Sequence, residues 1–136
     1  MSFLLDTNVI SEIRKGPRAD PGVRAWFESA PEEELHLSVL VLGELRRGVE
    51  RMRTKDPVSA EALHDWLTDV VSVHGARILP VTHEVAECWG RMGIEQPLPV
   101  IDALLGATAR VHGLTVVTRN EKDLTRTGAV VLNPFR

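Results

Sequence analysis

The stretch PVIDALLGATARVHGLTVVTRNEKDL, Pro99 to Leu124, decides how this chain is read. Its first half carries apolar residues at helical spacing and stops at Gly113, which predicts a helix opening on Pro99 or Val100. Leu114 to Thr118 then reads as a buried strand, and a polar turn ends in Asp123. Two acids thus fall at matching ends of neighbouring elements. Asp102 lies in the first turn of the helix. Asp123 lies just past the C-terminal end of the strand, where open α/β sheets put their ligand crevice.

Two further segments point to the same place. Ser2 to Leu5 is a short apolar run that stops at Asp6, and Thr7 and Asn8 lead into a helical pattern from Val9 to Arg14. Asp6 is again an acid at a strand end. The segment LHLSVLVLGELRRGVERM predicts a strand near Leu35 to Leu37, an N-cap at Ser38 and a helix to about Met52. At about 100° per residue, Val41, Leu42, Leu45, Val49 and Met52 form its apolar stripe. Glu44 lies at the edge of that stripe, where it reaches a cleft without entering the core.

These segments, LLDTNVIS (Leu4 to Ser11), LSVLVLGELRRGV (Leu37 to Val49) and the Pro99 to Leu124 stretch, resemble the PIN-domain family of metal-dependent nucleases. The likeness is greatest to its bacterial VapC-type and FitB-like toxins, covers nearly the whole chain and is weakest from Lys55 to Glu95. In that family the functional acids are the Asp of DTN, the Glu of the xEL helix, the Asp opening the DALLxATA helix and the Asp closing TRNxxD. Here these are Asp6, Glu44, Asp102 and Asp123. The chain departs from the family at Leu124, where an aromatic is common, and that touches packing. The resemblance implies phosphodiester hydrolysis in RNA, an endoribonuclease toxin of a toxin–antitoxin pair. It also implies a cognate antitoxin that masks the cleft, and commonly a homodimer, which higher toxin–antitoxin assemblies can contain.

Bulk properties agree with such a protein. A chain of 136 residues with 43% hydrophobic content suits one soluble domain, residues 1–136, able to bury roughly 70% of its unfolded surface. Cys88 is the only cysteine, so no internal disulfide forms and a reducing cytoplasm is expected. No apolar run approaches the ~20 residues that span a bilayer, and the N-terminus lacks the order of a signal peptide. The net charge of −3 argues against a protein that coats nucleic acid. Pooling four acids at one site would leave 16 basic against 15 acidic residues, so local patches matter more than the sum.

The remaining segments alternate in type. Lys15 to Pro21 is a polar loop, and Gly22 to Ala30 a short helix with Val23, Trp26 and Phe27 facing inward. A helix from about Val58 to Val73 places Leu63, Trp66, Leu67, Val70 and Val71 at helical spacing. Ile78 to Val81 is a short strand, and Thr82 caps a helix from Glu84 to about Met92 with Trp89 buried. Gly93 to Pro99 connects, and Ala129 to Leu132 pairs as a last strand with the one ending at Thr118. Alternation of strand and helix favours crossover connections. The expected fold is α/β, a three-layer α/β/α sandwich on a mostly parallel sheet of four or five strands.

Four carboxylates in one cleft do not all stay ionised without a positive charge between them. Mg²⁺ or Mn²⁺ is the expected partner, because these ions take oxygen ligands and keep several waters. No Cys or His cluster has zinc spacing. The family implies direct metal contacts from Asp6 and Asp102, a direct or water-mediated one from Asp123, and a water-orienting role for Glu44. Thr7, Asn8, Ser11, Thr118 and Asn120 are supporting candidates that could hydrogen-bond the acids. Each residue also has an ordinary structural reading. Asp102 can complement a helix dipole, Asp6 and Asp123 can form turns, and Glu44 can be a solvated helix residue. A phosphotransfer receiver would want a pair of acids after its first strand, and a DxD phosphatase would want an acid at Asn8. A non-catalytic RNA-binding or regulatory module on the same fold is the alternative from another class.

On the helix that carries Glu44, Arg47 and Arg51 continue its column, while Arg46 and Arg53 point roughly the other way. Like charges four apart cost roughly 0.2–0.5 kcal/mol in an isolated helix. The column is therefore expected to bind RNA. The competing reading pairs Arg47 with Glu44.

Overall fold

The computed structural model describes all 136 residues. Five strands, β1 (Phe3–Leu5), β2 (Leu35–Ser38), β3 (Ile78–Leu79), β4 (Thr115–Val117) and β5 (Val130–Leu132), form one sheet in the order β3-β2-β1-β4-β5. Every pairing is parallel. Seven α-helices connect them: α1 (Thr7–Ile13), α2 (Pro21–Ser29), α3 (Val39–Arg53), α4 (Pro57–His74), α5 (His83–Gly90), α6 (Val100–His112) and α7 (Glu121–Thr125). Contacts divide them into two groups. Helices α1 to α4 pack on one another, and α5 to α7 pack together separately, the arrangement of a three-layer sandwich.

Local chemistry sets the helix starts. Asp20 and Asp56 each cap a helix whose first residue is proline, which has no N–H to leave unpaired. Ser38 and Thr82 cap α3 and α5 with hydroxyl oxygens. Helix α6 ends on Gly113, whose φ of 66° is the left-handed value that glycine adopts most easily. At Gly106 the same helix lies so close to Thr127 that a Cβ would collide with its side chain.

The core is a cluster of 20 buried apolar residues drawn from the strands and the facing helices. Leu4, Leu5, Leu37, Leu105 and Leu124 are completely enclosed, each contributing roughly 1.5–3 kcal/mol by leaving water. Leu124, where the family commonly has an aromatic, thus fills its place as a core residue.

Several expectations change. Trp89 is 40% exposed, because α5 packs on α6 through one side and only its Val85 is buried. Phe27, at 38%, and Val71, at 43%, also face outward. Phe27 lines the rim of an apolar hollow of about 510 Å³ beside Trp66, Val70 and Val73. Trp66 is half-buried beneath the guanidinium of Arg14 (5.7 Å), and Trp26 packs edge-on to Phe3 (5.2 Å). The helix expected to reach Met92 ends at Gly90, and β3 is two residues long. The turn before Asp123 is instead the short helix α7, with Asp123 in its first turn.

Candidate active site

The strand order brings the acids together. Helices after β1 and helices after β4 belong to the two different groups, so a crevice opens between the C-terminal ends of these two adjacent strands. Register pairs Leu5 with Val117, which sets Asp6 beside Thr118. The Asp6 amide donates to the Val117 carbonyl (2.9 Å), so the first acid is fixed to the sheet by its own backbone.

Asp6 is buried and is the N-cap of α1. Its Oδ1 accepts from the Thr7 amide (2.7 Å), and its Oδ2 accepts from Thr118 Oγ1 (2.8 Å) and Asn8 Nδ2 (3.3 Å). Burial nevertheless pushes its carboxyl above the ordinary value of 3.8, with Glu44 adding repulsion against those three hydrogen bonds. Thr7 extends the contact, its hydroxyl donating to Glu44 Oε1 (2.6 Å). Glu44 is accordingly held toward the cleft from the second turn of α3.

Asn120 makes the other half. Its Nδ2 donates to Asp102 Oδ2 and to Asp123 Oδ2, both at 3.2 Å, so one amide holds two carboxylates that would otherwise repel. Its own amide donates to Thr118 Oγ1 (2.9 Å). The Arg119 amide donates to Asn8 Oδ1 (3.1 Å), tying the loop after β4 to α1. Every supporting candidate except Ser11 takes part in this network. Ser11 lies one turn further along α1, exposed, and makes no side-chain hydrogen bond to the acids.

Asp102 shows the electrostatic state of the cleft most directly. Its carboxyl is pushed up to about 6 by burial, then by Asp6, Asp123 and Glu44. An acid placed only to complement the dipole of α6 would move the other way. The dipole is outweighed, and Asp102 feels the other three acids at once. One cation stands near them, Arg126, whose Nη1 is 3.7 Å from Asp123 Oδ1. Sequence reading missed it because the i, i+3 spacing has meaning only once α7 is recognised as a helix.

The donor set suits a hard divalent cation: carboxylate oxygens, with hydroxyl and amide groups behind them and no thiol or imidazole among them. A different trio, Glu61, His64 and Asp65 on α4, also brings ligand atoms within 4.8 Å. There Glu61 pairs with Arg53 (3.6 Å) and Arg46 donates to His64 Nδ1 (3.2 Å), so cations already answer it. The apolar hollow of 510 Å³ includes none of the four acids.

The model of the PIN domain family matches residues 3–130. The chain belongs to the PIN domain family. Toxin FitB of Neisseria gonorrhoeae is 32% identical, with 98% of each chain covered, and the VapC ribonuclease Y4jK of Sinorhizobium fredii is 28% identical, covering 98% of this chain and 97% of that one. The crystal structure of FitAcB from Neisseria gonorrhoeae superposes with a TM-score of 0.88 at 32% identity, covering 97% of both chains. The PIN fold expected from the motifs is thus the fold observed.

Proposed function

We propose that this PIN-domain protein, acting as one nuclease domain over residues 1–136, is a Mg²⁺- or Mn²⁺-dependent endoribonuclease and the toxin of a toxin–antitoxin pair. The observation that carries the reading is the coupling of Asp6, Glu44, Asp102 and Asp123, seen in the raised carboxyl of Asp102. The ribonuclease and toxin names of its relatives support the substrate class.

A divalent ion at these acids would supply Lewis acidity toward water and the phosphodiester. Asp6 and Asp102 would hold it directly, with Asp123 as a further or water-mediated ligand. Thr118 and Asn8 fix the orientation of Asp6, and Asn120 fixes Asp102 and Asp123 relative to each other. Glu44 orients the attacking water. The hydroxyl of Thr7 keeps one of its oxygens occupied and turns the carboxylate toward the cleft.

A cognate antitoxin, a homodimer and a cytoplasmic location belong to the same proposal. No helix is long and apolar enough to cross a membrane. The test is cleavage of single-stranded RNA by purified protein with Mg²⁺ or Mn²⁺. Cleavage should stop in excess chelator and in Asp102→Asn. RNA binding without cleavage in either metal would instead favour the non-catalytic module.

A further inference from the structure

Helix α3 carries four arginines after Glu44, and the structure separates them into two pairs. Arg46 and Arg53 meet a carboxylate. Arg46 Nη1 donates to Glu50 Oε2 (3.3 Å), and Arg53 donates to Glu50 through Nε (3.1 Å) and Nη2 (3.4 Å). Arg53 also pairs with Glu61 on α4, and Arg46 reaches His64 there. These two arginines tie α3 to α4. Hydrogen bonding and charge from Arg53, then from Arg46, hold the Glu50 carboxyl below its ordinary value, so its charge is already answered.

Arg47 and Arg51 are exposed and form no ion pair, so the pairing of Arg47 with Glu44 does not occur; the partner of Glu44 is the Thr7 hydroxyl. They stand four residues apart on one helix face, where their charges repel. Together with Arg46, Glu50 and Thr54 they line an open hollow of about 380 Å³ walled by the stems and heads of charged and polar side chains. On the helix, Arg51 is seven residues from Glu44 and close to it in azimuth, so the column leads away from the site along α3 for roughly 10 Å. A chain of anions spaced along a flexible backbone fits the column and the hollow together.

We propose that Arg47 and Arg51 form a phosphate-binding track that holds the single-stranded RNA substrate on one side of the acid site. This rests on the reading of that site as a ribonuclease. Arg46 also borders the hollow, but its guanidinium is held by Glu50 and His64 and that of Arg53 by Glu50 and Glu61, so these already-paired arginines provide the control.

The experiment measures binding of a fluorescent single-stranded oligoribonucleotide across a salt series, in the Asp102→Asn background so that cleavage does not interfere. Arg47→Ala with Arg51→Ala should weaken binding about tenfold or more and lower the log–log salt slope by about 0.7 for each phosphate no longer neutralised. Arg47→Lys with Arg51→Lys should restore most of the slope, because the charge remains. Arg46→Gln with Arg53→Gln should change binding less than about twofold in protein whose folding is verified by melting. Unchanged RNA binding in the alanine pair overturns the track, as does an equal loss in the control pair. Loss of binding to an acidic peptide with RNA binding intact overturns it in favour of a protein contact. Cleavage by the parent is assayed separately. A parent that cleaves while the alanine pair binds normally leaves the ribonuclease reading standing without the track, and a track-dependent parent that never cleaves does the reverse.

Discussion

Acids in this protein fall into two regions that differ in how their charge is met. Away from the cleft, the carboxyls that hydrogen bonds surround most closely move below their ordinary values. Glu12 does so through Lys15 and the Asp20 amide, Glu50 through Arg53 and Arg46, and Asp56 through the side chain and amide of Ser59. Asp20 does so although burial opposes it, because the amides of Arg136, Val23 and Gly22 converge on it. In the cleft, Asp6 and Asp102 move upward. Asp6 in the cleft and Asp20 and Asp56 outside it are all helix N-caps, so the difference is not one of local structure. It arises because the cleft gathers acids faster than it supplies donors, and such an imbalance is characteristic of sites built for a ligand of opposite charge.

The strongest way to break the comparison is to remove the charge or the cation. Asp102→Asn should lower RNA cleavage by at least about a hundredfold, since a hundredfold corresponds to about 2.7 kcal/mol of the several that metal-assisted hydrolysis draws on. Excess chelator should do the same to the parent. Single-turnover cleavage of a labelled RNA by protein free of contaminating nucleases measures both, and undiminished rates would remove the metal from the proposal.

Asn120→Ala is the next largest. It deletes the amide shared by Asp102 and Asp123, leaving their repulsion unrelieved. Metal affinity should fall about 10- to 100-fold, as when other groups that orient metal ligands are removed. Calorimetric titration with Mn²⁺ measures it. Affinity equal to the parent's would mean the amide merely fills space.

How much of the fold and site is legible in the sequence follows from what each signal encodes. Strand ends and helix starts are readable around Asp6, Glu44 and Asp102 because apolar periodicity and cap residues are local. The double duty of Asn120 is not readable, since sequence marks it as a turn former without saying which way its side chain turns. Helix α7, of five residues, is too short to show a period, and Arg126 goes unseen with it. Trp89 illustrates a third limit. Periodicity assigns a residue to an apolar face, and whether another element covers that face is a property of the fold.

Stability without metal sharpens the comparison further. Asp102 titrates at 3.8 when unfolded and at about 6 when folded, so between those values the folded protein holds more protons. Stability of the metal-free protein therefore falls as pH rises through that window, and the penalty is complete above about pH 6. A shift of this size corresponds to about 3 kcal/mol at most, and partial exposure reduces it to roughly 1–2 kcal/mol. Asp102→Asn should raise the Tm in chelator at pH 7 by roughly 3–8 °C, and the gain should vanish below about pH 4. If parent and variant melt together at pH 7, crowding of charge is not what sets Asp102 apart.

The smallest effect comes from the other region and has the opposite sign. Asp56 caps α4, its Oδ1 accepting from the Ser59 amide (3.2 Å) and its Oδ2 from the Ser59 hydroxyl (2.6 Å). Those bonds hold its carboxyl below 3.8, so its contribution is present above that value and is lost as pH falls through the lower folded one. Asp56→Ala should lower the Tm at pH 7 by about 3–5 °C, the usual consequence of losing an N-cap in a domain of this size. RNA cleavage should be unchanged, because α4 supplies none of the four acids. Melting curves at pH 7 and pH 3 with a parallel cleavage assay decide the matter. A cap whose removal stabilised the protein, as removal of Asp102 should, would erase the distinction between acids that hold the fold and acids that await a cation.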